Sequence, residues 1–217
     1  MVDSCVILGG GGHSQVLIDC IISRGDVRIE GILDTDPNRW GQIVMGVPIL
    51  GGDDLLKEMP SRGVKFFSVG VGSIGDTRHR QHLYEIGLKS GLEPLTVIHS
   101  FAILSPWANA GPGCQIFPGS IVNAGAVLKC NVIVNSGAIV EHDCVIGDHV
   151  HIATGAKLAS TVQVDVGAHI GAGAVIRQCI RIGERAVVGA GAVVVKDVPP
   201  GIIVVGVPAR QLHKTIK

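Results

Sequence analysis

Apolar residues recur every six positions through the second half of the chain. Counting from Ile98 in steps of six gives Leu104, Ala110, Ile116, Val122, Leu128, Val134, Val140, Ile146, Ile152, Leu158, Val164, Ile170, Ile176, Ile182, Val188 and Val194. Only Ala110 is not a branched aliphatic. Four places after each stands a residue of small bulk, as at Ala102, Cys114, Ser120, Ala126, Ala138 and Cys144, with Ile180 the largest. A period of six fits neither the helical repeat near 3.6 nor the strand alternation of two. Fixed self-similarity of this kind marks a stacked solenoid. If six residues make one side of a triangular coil, the aliphatic fills the interior and the small residue sits where the wall bends. Glycines such as Gly111, Gly147, Gly171, Gly183 and Gly189 are then expected at the turns, for backbone angles that other residues resist. Three sides make a coil of roughly 18 residues.

The first 97 residues follow another pattern. Val6-Ile7-Leu8 reads as a strand that breaks into Gly9-Gly10-Gly11-Gly12-His13-Ser14. Helical spacing at Val16, Leu17, Cys20 and Ile21 follows. Ile29 to Leu33 predicts a second strand ending in Asp34, and Gly46 to Gly51 a turn and strand. Asp53 to Met59 predicts a short helix, Lys65 to Val71 a third parallel strand running into Gly72, Arg78 to Ser90 a helix, and Glu93 to Ile98 a last strand. The prediction is a small Rossmann-like α/β sheet over residues 1–97 and a solenoid with a C-terminal cap over 98–217. Pro199 and Pro200 are expected to end the ladder pairing, and the tail Gly206 to Arg210 to close the end of the solenoid.

Composition narrows the function classes. A formal net charge of zero and the lack of a basic tract argue against nucleic acid. No uninterrupted apolar segment reaches the roughly 20 residues of a membrane span, and the N-terminus lacks a signal-peptide pattern. A cytoplasmic location is the expectation. The six cysteines have neither metal-ligand spacing nor the density of a disulfide scaffold. Cys114 and Cys144 fall at the small inward position and read as core filler.

The chemistry-bearing candidates lie in both halves. A glycine-rich turn between strand and helix lets the backbone approach a phosphate, and the helix N-terminus favours an anion. Asp34, at the end of the second strand, stands where a dinucleotide-binding fold often places a ribose-binding acid, so NAD binding is a rival reading. The loops at Gly11 to His13, Thr35 and Gly72 all follow strand ends on one side, the edge where open parallel sheets bind ligands. In the solenoid, His142 lies between Glu141 and Asp143 in an otherwise aliphatic wall, and an adjacent carboxylate can fix the imidazole tautomer. One coil on from His142 is Ser160, and one coil on from His151 is His169. His99, His149 and His213 read as packing histidines.

The segment Val140-Glu141-His142-Asp143-Cys144-Val145-Ile146-Gly147-Asp148-His149-Val150-His151-Ile152 resembles the active-site coil of the bacterial sugar O- and N-acetyltransferases related to sialic acid acetyltransferase. The resemblance extends to the Gly-Gly-His loop, Leu33-Asp34, Gly46-Val47-Pro48 and Gly206-Val207-Pro208-Ala209, and so along the whole chain. It implies a left-handed parallel β-helix, although right-handed crossovers are the general preference. It also implies acetyl-CoA as co-substrate, no metal, a homotrimer, and a nucleotide-linked 4-amino-4,6-dideoxy sugar as acceptor. By this resemblance His142 is the general base and Asp143, where relatives often have glutamate, raises its basicity. The amide of Ser160, where relatives often have glycine, supports the oxyanion. His151, Ala172 and Ala190 contact acetyl-CoA, and Gly11, Gly12, His13, Asp34, Thr35 and Gly72 bind the nucleotide sugar. Thr35, where relatives can carry a second aspartate, and Gly75-Asp76, an insertion beside Gly72, are departures. The competing readings are O-acetylation of sialic acid or another sugar hydroxyl, and a non-catalytic nucleotide-sugar-binding module.

Overall fold

A computed structural model describes residues 2–212; His213 lies outside the described residues. The chain opens with β1 (Ser4–Leu8), α1 (Gly12–Arg24) and β2 (Arg28–Leu33). Next come β3 (Ile43–Val44), β4 (Val47–Gly51), β5 (Phe66–Val69), α2 (Arg78–Lys89) and β6 (Glu93–Pro94). The sheet order is β3-β4-β2-β1-β5-β6, parallel except for the short antiparallel β3–β4 pair. All five residues of β1 are buried, as a central parallel strand covered on both faces requires. α1 ends at Gly25, whose φ of 69° and N–H bond to the Ile21 carbonyl make a left-handed cap. The predicted helix after Asp53 is a 3-10 helix, Asp53–Glu58.

From Val97 the chain winds into a left-handed parallel β-helix of short strands, two residues each as far as Val194, stacked in three sheets. Each strand pairs with the one a coil later, as Ile121 with Ile139 and Val127 with Val145. The six-residue column from Ile116 to Val194 is buried, with no more than 2% of any member exposed. Cys114 and Cys144, at the small inward position, are buried beside it, and burial pushes their thiols up to about 12 and about 11. Ile98, Leu104 and Ala110, at the open first coils, are only partly buried. Each fully buried Ile or Leu side chain contributes about 1.5–3 kcal/mol of transfer free energy, so the stacked column is the main source of the solenoid's cohesion.

Three expectations are corrected. The left-handed corner lies two residues after the glycines expected to need it. Gly113, Gly125, Gly137 and Gly155 have positive φ there, and so do Asn131, Asp143, His149, Thr161, Cys179 and Arg185. Gly111, Gly147, Gly171, Gly183 and Gly189 are required for close approach instead. A Cβ on Gly171 would stand 2.6 Å from the amide nitrogen of Ala190, in the next coil. The predicted strand Glu93 to Ile98 is two strands. Leu95 still donates to Phe67 in the sheet, whereas Val97 donates to Cys114 in the solenoid, with the Thr96 hydroxyl bonded to Gly111 and Gly113 at the crossover. Finally, Pro199 and Pro200 occupy a corner and do not end the pairing. Val187 and Val188 pair with Ile203 and Val204 beyond them, and Arg210–Gln211 folds back antiparallel on that strand as a cap.

The α/β unit covers one face of the triangle. Outward positions on that face, Val97, Gln115, Ile133, His151 and His169, are buried, while Asn109, Val145, Gln163 and Arg181 on another face are at least partly open. Val97, Phe117 and Ile133 share a core with Ile7, Leu17 and Ile18.

Candidate active site

His142 occupies a solenoid corner, and the next residue, Asp143, takes the left-handed conformation with φ of 59°. That turn brings the Asp143 Oδ2 to 2.8 Å from His142 Nδ1. A carboxylate only accepts, so Nδ1 is the donor, and in the neutral imidazole the lone pair stands on Nε2. Both side chains are open, at 57% and 61% exposure. The adjacent Glu141 accepts from Asn123 Nδ2 at 2.9 Å, one coil away. Thr161 donates to the His142 carbonyl, which places Ser160 against His142 in the next coil. Among the described residues the Ser160 amide has no bond in the backbone ladder. Ala172 and Ala190 are exposed and also stack, through the Gly191 amide on the Ala172 carbonyl.

The second site is a cleft of about 190 Å³ at the C-terminal ends of β1, β2 and β5, bounded by Gly9 to Gly11, Asp34, Thr35, Arg39, Asp53 and His79. Asp34 is already engaged. It accepts from the Gly10 amide at 2.8 Å, from Arg39 at 2.9 Å and from the Asp36 amide at 3.0 Å. It therefore shapes the glycine loop directly. Burial, then the nearby Asp34 charge, raises the Asp53 carboxyl above its ordinary value.

Between the two sites the α/β unit meets the solenoid through polar groups. His13 Nε2 lies 2.8 Å from Gln115 Oε1, and Gln115 Nε2 donates to the Val69 carbonyl at 2.8 Å. Because the amide nitrogen must face that carbonyl, its oxygen faces His13. The imidazole thus donates from Nε2 and keeps Nδ1, beside Gly72, as an acceptor. Burial, then the Arg80 charge, lowers the His13 pKa to about 4. Arg80 itself is fully buried and, among the described residues, bonds only carbonyls, at Val69, Val71 and, more weakly, Asn131.

Residues 4–86 match the family described as the PglD N-terminal domain. Along nearly its full length the chain is similar to the acetyltransferase domain of PglB from Neisseria gonorrhoeae FA1090, solved in complex with acetyl coenzyme A. Identity is 34% and the TM-score 0.88, with 98% of this chain and 100% of that one covered. PerB from Caulobacter crescentus, solved with CoA and GDP-perosamine, is 32% identical with a TM-score of 0.78, covering 98% and 99% of the two chains. The chain belongs to the PglD-like acetyltransferase family. A GDP-perosamine N-acetyltransferase from Escherichia coli O157:H7 is 35% identical over 125 residues. That stretch is 58% of this chain and 54% of the relative, so the match spans about half of its length.

In this PglD-like chain all but one of the predicted residues fall into three places. His142, Asp143 and Ser160 meet at the corner, and Ala172 and Ala190 line one outer edge. Gly11, Asp34 and Thr35 border the cleft, with Gly12 beside them at the start of α1 and His13 and Gly72 against each other at its inner side. His151 is set apart. It is buried, with Nδ1 bonded to the Ser73 carbonyl at 2.8 Å and Nε2 within 3.2 Å of Asn135 Nδ2, so both nitrogens have protein partners. Sequence reasoning missed Arg39, Asp53, Ser73, Gln115 and Asn135. For Gln115 a signal existed: with His151 and His169 it interrupts the outward column Val97, Ile133 and Val187 with polar groups, which marks a face that something else covers.

Proposed function

We propose that this chain transfers the acetyl group of acetyl-CoA to the 4-amino group of a nucleotide-linked 4-amino-4,6-dideoxy sugar. The observation that carries the reading is the exposed His142, held through Nδ1 by Asp143, in a chain similar throughout to PglB and PerB. The neutral sugar amine attacks the thioester carbonyl while His142 Nε2 takes the amine proton. The tetrahedral oxyanion is met by the Ser160 amide. Collapse breaks the C–S bond, and the thiolate of CoA leaves with the proton returned from the imidazolium. Relatives support the assignment of a histidine. The Caulobacter crescentus enzyme has been solved with one histidine replaced by alanine or by asparagine, in complex with CoA and GDP-perosamine.

In this reading residues 1–97 hold the nucleotide sugar through Gly11, Gly12, His13, Asp34, Thr35 and Gly72. Residues 98–217 hold acetyl-CoA through Ala172 and Ala190 on one edge and Ser160 at the His142 corner. His151 contributes to the cofactor site from its buried position beside Asn135. The active form is a homotrimer in the cytoplasm. The exposed Phe101, Ile103 and Trp107 on the first coils supply apolar surface for subunit contact, and among the described residues no helix is long and apolar enough to cross a membrane.

The test is thiol release from acetyl-CoA with a panel of GDP- and UDP-linked 4-amino sugars and their 4-hydroxy counterparts. Turnover with an amine and none with the alcohols is expected. Turnover with the alcohols alone would make the protein an O-acetyltransferase, and tight binding of the sugars without turnover would make it a binding module.

A further inference from the structure

We propose that Gly125 is a positioning residue for the reaction, because its missing side chain is the space in which the Asp143 carboxylate lies while it orients His142. The inference rests on the reading of His142 as the general base.

Exposed side-chain pairs hold their geometry weakly, contributing about 0–1 kcal/mol even where both partners are charged, and His142 and Asp143 are both more than half exposed. Their alignment therefore needs a scaffold. One part of it is the left-handed backbone at Asp143. The other is directly beneath, in the preceding coil, where the Asp143 amide donates to Ala124 at 3.2 Å and Gly125 is the next residue. A Cβ on Gly125 would collide with Asp143 Oδ1 and stand 3.4 Å from its Cγ. The colliding atom is the free end of a side chain, so the carboxylate would swing away and the coil would stay intact.

Backbone conformation alone does not explain a glycine here. Gly125 has φ of 74°, but Asn131, Asp143, His149, Thr161, Cys179 and Arg185 take the same left-handed corner with side chains in place. Other corner glycines also differ from Gly125. At Gly137, φ is 66° and a Cβ would meet nothing within 4 Å. Gly137 thus bears the same backbone cost without the carboxylate, which makes it an internal control.

The experiment compares Gly125→Ala, Gly137→Ala, Asp143→Ala and the Gly125→Ala/Asp143→Ala double variant in steady-state acetyl transfer from acetyl-CoA to the amino sugar. Gly125→Ala is expected to lower kcat about tenfold, less than the roughly 10²–10⁴-fold that a general base contributes because the base is displaced and not removed, with KM for acetyl-CoA unchanged. Gly137→Ala should stay within about twofold of the parent. The double variant should be no slower than Asp143→Ala, since the two changes remove one interaction. Full kcat in Gly125→Ala, or losses that multiply in the double variant, overturn the proposal. If Gly125→Ala fails to fold, the double variant must recover a cooperative melt, because the colliding carboxylate is gone; a double variant that also fails overturns it. A fully active His142→Ala would sink the base assignment itself. An inactive His142→Ala beside an unimpaired Gly125→Ala would sink only the role of Gly125.

Discussion

His142 stands at a corner of the coil and His151 on the side opposite that corner, and the two have opposite chemistry. His142 is 57% exposed and faces one carboxylate. His151 is 6% exposed, and its partners are neutral. Burial, then the adjacent His169, lowers the His151 pKa to about 3, against a smaller opposing pull from its bond to Ser73. One imidazole is equipped to take a proton and the other is kept neutral. The repeat itself does not distinguish them. What does is the α/β unit, which covers the face bearing His151 and leaves the corner bearing His142 open.

The sharpest way to break this contrast is to remove each histidine. His142→Ala is expected to lower kcat by about 10²–10⁴-fold, with acetyl-CoA binding by calorimetry retained. A larger loss of kcat in His151→Ala than in His142→Ala would reverse the roles. The solenoid core gives the next effect. Ile146→Ala, four residues from His142 in a fully buried column, should cost about 2–5 kcal/mol in urea unfolding.

Acid should separate the two environments further. His13 and His151 have folded pKa values near 4 and near 3, below the ordinary 6.5. The unfolded chain therefore binds protons that the folded chain refuses. Their contribution is constant above about pH 6.5 and falls below it, by about 1.4 kcal/mol per pH unit for each histidine. The fall ends near the folded pKa of each. Urea midpoints near pH 7 and near pH 5 should show this loss, and His13→Gln, which retains a donor toward Gln115, should show less of it. An unchanged pH dependence in that variant would mean that His13 is not held neutral.

The smallest effect is expected in the cleft. Arg39→Met frees Asp34 from its ion pair and slackens the glycine loop, so KM for the nucleotide sugar should rise about tenfold, equivalent to about 1.4 kcal/mol, with KM for acetyl-CoA unchanged. Equal rises in both would place Arg39 outside the nucleotide site.

Much of the architecture was legible before any coordinate. The period of six located the buried column, and reading it in coils stacked Ser160 on His142, His169 on His151 and Ala190 on Ala172. These are short-range facts, because each residue in a solenoid meets mainly the coils on either side. The strand, glycine loop and helix around Gly11 were equally local. The reason assigned to Gly111 and Gly171 was wrong because positive φ and close approach both demand glycine, and only coordinates separate them.

The chain's spacing by itself determined the solenoid, its register and the corner on which His142 and Asp143 sit. Only the tertiary structure decided which of the three faces is covered, and with it the fate of His13, Gln115 and His151. The contact that decides it joins His13 to Gln115, 102 residues apart. Nothing in a local repeat encodes a pairing at that distance. It arises because the apolar surface of α1 and the outward residues Val97, Phe117 and Ile133 are buried together, which turns polar residues on that face into partners for the α/β unit.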